Sequence, residues 1–301
     1  MEKYKKYPDN ADISKEILGE NNSLFKMLTF VGKNKQVVDF GCASGYFANL
    51  LQKEDCEVVG VEINPEAAEI AKQYCKRVIV ADLDYENIEN ILGNERFDVA
   101  TFGDVLEHLK DPWSLLSTVR NILKPDGFVV ASIPNVAHGA VRLALLEGKF
   151  DYEKFGLLDN THLRFFTRKS IHHLFEATGY CIDSEDFTHL SVFNSSSLTP
   201  ILDPRKFSAE LLEYVTNDKN SEVLQFIIRA YPSSMASKYA FLSKNYDEAK
   251  IYIDQLSYNL EQTQAELEQA LQVVESVKHS NFWKVWQFWI WLKHLIKLEK
   301  V

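Results

Sequence analysis

The feature that most constrains the fold is the run Val37-Val38-Asp39-Phe40-Gly41-Cys42-Ala43-Ser44-Gly45-Tyr46-Phe47. A short apolar strand over Gln36–Phe40 carries Asp39 near its end. A tight turn over Gly41–Gly45 follows, and a helix starts at Tyr46. A glycine-bearing turn of this kind lets backbone approach a ligand closely, and the helix N-terminus adds N–H donors. Dinucleotide-binding turns need G-x-G-x-x-G. Counted from Gly41, the third and sixth positions are Ala43 and Tyr46, so that fingerprint fails.

The flanking sequence repeats the strand–helix alternation. An amphipathic helix is predicted over residues 14–31, with Ile17, Leu18, Leu24, Phe25 and Leu28 as its apolar positions. Further strands are predicted over Glu57–Glu62, Arg77–Ala81, Phe97–Phe102 and Phe128–Ile133. Helices are predicted over Pro65–Gln73 and Pro112–Leu123, the latter closed by the turn Lys124-Pro125-Asp126-Gly127. Strands that are apolar on both faces, alternating with helices, imply a doubly wound, mostly parallel sheet. Residues 135–168 are mixed and rich in His, Arg and Phe. After them come a helix over Ser170–Thr178, strands over Tyr180–Phe187 and Val223–Tyr231, and a helix near Ser208–Val215. The sheet then has seven strands, and its domain closes at residue 232.

Residues 233–278 differ in kind. Ile253, Leu256, Leu260, Thr263, Leu267, Ala270, Val274 and Val277 recur in steps of three and four, an a/d repeat that predicts a coiled coil and a homo-oligomer. Residues 279–301 form an aromatic, basic tail. Four of the five Trp residues fall in it, with Lys at its ends. Trp favours the membrane interface and Lys favours anionic headgroups, so residues 280–297 are expected to touch a membrane surface without spanning it.

Acidic residues punctuate the strand ends. Glu62 closes the second strand, Asp82 follows the third, and Gly103-Asp104 follow the fourth. Together with Asp39-x-Gly41-x-x-x-Gly45, the block Phe97–Leu109 and the turn Leu123–Phe128, this pattern resembles the class I S-adenosylmethionine-dependent methyltransferases over residues 14–232. The resemblance implies S-adenosyl-L-methionine as cofactor. It places Asp39, Gly41, Ala43 and Gly45 in the cofactor loop, Glu62 with Ile63 at the ribose, Asp82 with Leu83 at the adenine, and Gly103 and Asp104 beside them. Ile133-Pro134-Asn135-Val136-Ala137-His138 and Leu157–Thr167 resemble, more narrowly, bacterial methyltransferases associated with cell-surface polysaccharide synthesis.

The expected reaction is methyl transfer to a hydroxyl of a glycan or glycan precursor. A small-molecule acceptor resembling a quinone precursor is the alternative, and a membrane-recruited oligomeric scaffold with a vestigial cofactor site is the non-catalytic one. A hydroxyl nucleophile benefits from a general base, and His suits neutral pH. His162 and His138 are the first candidates and His108 the third. Arg164 is expected to bind a substrate anion or to pair with Asp159. Asp104, Glu107 and His108 offer metal-ligand types, but Glu107 and His108 would point apart on a helix, so no metal is expected. A net charge of −10 argues against a nucleic-acid partner. Four scattered cysteines and the absence of an apolar leader point to the cytoplasm, at the inner face of the cell membrane if the tail binds there.

Overall fold

The computed structural model describes residues 15–233 and 235–298. The chain divides into two compact units, Met1–Lys238 and Tyr239–Val301.

In the first unit, the helices α1 (Lys15–Leu18) and α2 (Ser23–Val31) stand where one continuous helix was predicted. Gly19, at φ +70°, breaks the run, and the Asn22 side chain accepts the N–H groups of Leu24 and Phe25 to start α2 afresh. Next come β1 (Gln36–Phe40), α3 (Tyr46–Gln52), β2 (Glu57–Glu62), α4 (Pro65–Ala71), β3 (Arg77–Val80), α5 (Ile88–Leu92) and β4 (Phe97–Gly103). They are followed by α6 (Pro112–Val119), β5 (Leu123–Pro134), α7 (Gly139–Leu146), α8 (Arg168–Ala177), β6 (Tyr180–His189), α9 (Ala209–Thr216) and β7 (Val223–Pro232).

The seven strands run in the order β3-β2-β1-β4-β5-β7-β6. The first five pair in parallel, and β7 runs antiparallel to β5 and β6. This is the doubly wound, mostly parallel sheet expected from the sequence. Both faces are covered: Val38 and Phe40 pack into one apolar cluster with Phe102 and Ile133, while Val37 packs into the other with Val58, Val99 and Leu51. Alternate residues of one strand thus feed opposite layers. The predicted turn at Lys124–Gly127 is absorbed into β5 as a bulge, since Leu123 pairs with Phe97 but Phe128 pairs with Val99.

Strand order reverses between β1 and β4, whose neighbours β2 and β5 lie on opposite sides. The carboxyl ends of the strands at such a reversal form a crevice open to ligands.

The helix α10 (Met235–His279, 45 residues) begins in the last residues of the first unit and continues in the second, which also contains α11 (Asn281–Leu298, 18 residues). Among the described residues, no helix is long and apolar enough to cross a membrane.

Candidate active site

The loop after β1 is fixed by backbone bonds. Gly41 N and Cys42 N both donate to Val61 O (2.7 and 3.2 Å), and Gly45 N donates to Cys42 O (2.9 Å). Gly41 and Gly45 sit at φ +70° and +84°, and even Ala43 is left-handed at +49°. A Cβ on Gly41 would lie 2.6 Å from Val105 Cγ2, and one on Gly45 would lie 2.9 Å from Ala71 Cα. Both the backbone conformation and the space therefore require glycine at these two positions.

Glu62 is buried at the end of β2 and braces this loop. Its Oε2 accepts from Ala43 N (2.9 Å) and its Oε1 from Asn64 N (2.8 Å). Each carboxylate oxygen has more than one acceptor direction, so these bonds leave Glu62 capacity for a ligand's hydroxyls. Asp39 is buried as well, and its Oδ1 accepts from Thr101 Oγ1 (2.6 Å). Burial pushes the Asp39 carboxyl up to about 7, with the Glu62 charge adding to the rise and the Thr101 bond opposing it. The Cys42 thiol is held well above its ordinary range, by the neighbouring Cys75 thiol first and by burial second, so it is no nucleophile here.

Ile63 follows Glu62 and is 45% exposed. Asp82 follows β3 and accepts from Asp84 N (3.0 Å), while Leu83 packs against the core beside it. Gly103 ends β4, and Asp104 turns away in the left-handed region at φ +54°. Asp104 Oδ1 accepts from Ser132 Oγ and from Gln225 Nε2, both at 2.7 Å. All the positions expected to bind cofactor thus lie at the carboxyl ends of β1, β2, β3 and β4. They form a rim with close backbone approach at Gly41–Gly45, a buried carboxylate at Glu62 and an apolar edge at Ile63. That combination fits a nucleoside with ribose hydroxyls.

Beside this rim lies a cavity of about 300 Å³. Glu107, His108 and His162 line one wall, and Pro134, Leu157 and Leu224 give it an apolar side. A 3₁₀ turn over Leu106–His108 presents Glu107 and His108. The loop bearing His162 is stitched to that turn, because Leu163 N and Arg164 N both donate to Glu107 O (2.8 and 2.9 Å). His162 Nε2 then lies 4.0 Å from Glu107 Oε1, and the His108 and His162 rings meet edge to face at 4.8 Å. His108 Nδ1 lies 3.1 Å from Thr161 O.

These contacts correct the expectation that Glu107 and His108 diverge. Each of Glu107, His108 and His162 offers one ligand atom, and the three atoms lie within 4.8 Å of one another. One carboxylate and two imidazoles are a donor set suited to a divalent transition metal. Glu107 is the candidate site residue that the sequence reading undervalued. Its signal was the Glu-His pair after a parallel strand, but only the return of residue 162 gives that pair a partner.

His138 is corrected in the other direction. It is fully buried at the start of α7 and does not line the cavity. Its Nδ1 accepts from Ala140 N (3.2 Å), and its Nε2 is bonded to Leu190 O (2.8 Å). Burial lowers its basicity, outweighing the opposing effects of the Leu190 carbonyl and Glu222. It caps a helix and ties down a loop. Asn135 is likewise buried, with its Nδ2 donating to Val223 O (2.9 Å). Arg164 does not pair with Asp159. Its guanidinium bonds to Lys110 O and lies over the Trp113 ring.

A doubly wound sheet with a glycine loop after β1 and acids at the ends of β2 and β3 is the frame of a nucleoside-binding domain. Residues 21–185 match the methyltransferase-domain family, and the chain belongs to it. The donor used by this class, S-adenosylmethionine, is the ligand the rim fits. Curated relatives include the ubiquinone biosynthesis O-methyltransferase of Actinobacillus pleuropneumoniae serotype 7, 28% identical over 138 residues, with 40% of this chain and 59% of that protein covered. The protein of that name from Histophilus somni is 30% identical over 138 residues, covering 40% and 58%. The matched part of this chain therefore spans less than two thirds of either relative. Among solved structures, an S-adenosylmethionine-dependent methyltransferase from Archaeoglobus fulgidus is 20% identical, with a TM-score of 0.49 over 72% of this chain and 94% of that one.

Proposed function

We propose that this chain transfers the methyl group of S-adenosylmethionine to a hydroxyl of a ring-sized acceptor held in the cavity beside Glu107 and His162. The observation that carries this reading is the cavity itself. It adjoins the cofactor rim at Asp104 and holds a histidine backed by a buried carboxylate.

When bound, the cofactor supplies an electrophilic methyl on its sulfonium. The chain's own residues do the rest. The Gly41–Gly45 turn and Glu62 hold the nucleoside, and the cavity wall aligns the acceptor oxygen for in-line attack. His162 takes the hydroxyl proton as the new bond forms. Glu107 stabilises the charge that His162 gains, in a setting where water does not screen it. A second reading rests on the clustering of Glu107, His108 and His162. These three would hold a divalent cation, whose part would be to polarise the acceptor hydroxyl.

Two acceptor classes suit the cavity. A glycan-precursor hydroxyl follows from the resemblance of residues 133–138 and 157–167 to polysaccharide-associated enzymes. A phenolic hydroxyl follows from the names of the curated relatives and from the apolar side formed by Pro134, Leu157 and Leu224. For α11 we propose contact with an anionic membrane surface at the cytoplasmic face. Phe282, Trp286, Phe288, Trp289 and Trp291 are exposed along it, and Lys293 Nζ lies 4.0 Å from the centre of the Trp289 ring.

One assay tests these points together. The full chain is incubated with methyl-labelled S-adenosylmethionine, anionic vesicles, and either a catechol-type phenol or a nucleotide-linked sugar. Label is expected on one acceptor class, and no label on any hydroxyl acceptor overturns the proposal. Loss of transfer with a chelator, restored by a divalent cation, selects the metal reading, and insensitivity selects the base. Truncation at residue 278 is expected to release the protein from the vesicles, and continued pelleting contradicts the membrane contact.

A further inference from the structure

The methyl-transfer reading makes no use of α10. From Lys250 to His279 every residue of this helix is exposed. Its apolar positions form one seam: Ile253, Leu256, Leu260, Leu267, Val274 and Val277 are 45–60% exposed and recur at a and d of a heptad. Thr263 occupies a d position, but its Oγ1 donates to Asn259 O (2.9 Å), so the hydroxyl is satisfied within the helix. Ala270 holds the remaining d position and narrows the seam without adding a polar group.

The charges are the informative part. In this register Asp254, Glu261, Glu268 and Glu275 all fall at b, one per heptad and away from the seam. The flanking e positions are Ser257, Gln264, Leu271 and Lys278. The flanking g positions are Tyr252, Asn259, Glu266 and Val273. The seam is thus bordered mostly by neutral residues, Glu266 and Lys278 being the charged ones, while Asp254, Glu261, Glu268 and Glu275 form a separate outer row. A second identical helix meets no like-charge row when it docks. An anionic lipid surface would meet the acidic row within the same helix, and a basic partner would find one acid, Glu266, bordering the seam. The apolar strip is widest near its C-terminal end, where Leu271 and Val273 flank it on both sides at 57% and 61% exposure, whereas Tyr252 alone flanks it at the N-terminal end. A parallel pair sets the two widened stretches against each other. An antiparallel pair would set each against Tyr252, Ser257 and Asn259.

We propose that α10 is a self-association surface whose partner is a second copy of this chain, aligned in parallel and in register. Mass measurement by light scattering tests it on the full chain in detergent-free buffer. Wild type is expected at a multiple of 34.6 kDa. The double variant Leu260→Asp/Leu267→Asp is expected at the single-chain mass, with S-adenosylmethionine affinity within about twofold of wild type, which shows that the first unit still folds. The variant Trp286→Ser/Trp289→Ser is expected to keep the wild-type mass. Single-chain mass for wild type at tens of micromolar overturns the proposal. So does an undiminished mass for the seam variant, or a mass lost only in the tryptophan variant. Oxidation of Leu260→Cys is expected to give a covalent dimer. A dimer formed only between Ile253→Cys and Val277→Cys chains would show antiparallel pairing and overturn the stated alignment.

Discussion

The two sides of the crevice are built differently. On the cofactor side, each group comes from a short contiguous run: Asp39 to Gly45, Glu62 with Ile63, and Asp82 with Leu83, all at strand ends. On the acceptor side, the lining comes from segments far apart in sequence, including Asp104 to His108, Pro134, residues 155–162, Leu198, and Leu224 with Gln225. A contiguous run states its own geometry, because the turn that shapes it lies inside it. A dispersed wall depends on which loops return to it, and that is decided by backbone bonds such as those from Leu163 N and Arg164 N to Glu107 O.

The two histidines of residues 135–168, between β5 and β6, sharpen this contrast. His162→Ala is expected to lower turnover about a hundred- to ten-thousand-fold while leaving S-adenosylmethionine affinity unchanged. An equal loss of both, in steady-state kinetics alongside calorimetry, would make His162 a structural residue and merge the two sides. His138→Ala is expected to do the reverse. Removing its bonds to Ala140 N and Leu190 O costs about 1–3 kcal/mol of stability in a denaturant titration, with turnover per folded molecule unchanged.

A further effect concerns Asp39 and is read as a slope. Burial raises its carboxyl from 3.8 to about 7, so the folded chain holds a proton that the unfolded chain releases. The stability contributed by this proton is fully present below 3.8 and is lost as pH rises through about 7. Asp39→Asn, which stays neutral, should therefore gain stability relative to wild type across that window, by up to about 1.4 kcal/mol per pH unit. A flat difference in denaturant midpoints would show that Asp39 is ionised throughout.

The same contrast explains what the sequence made legible. The doubly wound sheet followed from strands apolar on both faces alternating with helices, and the cofactor rim from the glycine turn and the acids at the strand ends. The break at Gly19 was visible in principle, but the apolar spacing of residues 14–31 masked it. Helix α7 went unseen because its cap is the imidazole of His138, and no usual capping residue marks its start. That use of His138 also hid its role, since a histidine after a parallel strand resembles a base until its two nitrogens are traced. Glu107 and His108 were judged as helix neighbours. A 3₁₀ turn and a loop that begins some fifty residues further on place them together, and neither can be read from local spacing. In α10 both the repeat and the few charges beside it were plain in the sequence, and one unbroken helix carries that register from Ile253 to Val277.

The central claim is that the rim around Gly41–Gly45 and Glu62 binds S-adenosylmethionine. Calorimetric titration of the full chain with S-adenosylmethionine, with NAD as the control, tests it most directly. Wild type is expected to bind S-adenosylmethionine in the micromolar range and to give no heat with NAD. Gly41→Ala, whose Cβ would meet Val105 Cγ2 at 2.6 Å, is expected to bind at least about tenfold more weakly. Binding of NAD, or a folded Gly41→Ala chain with wild-type affinity, would contradict the account.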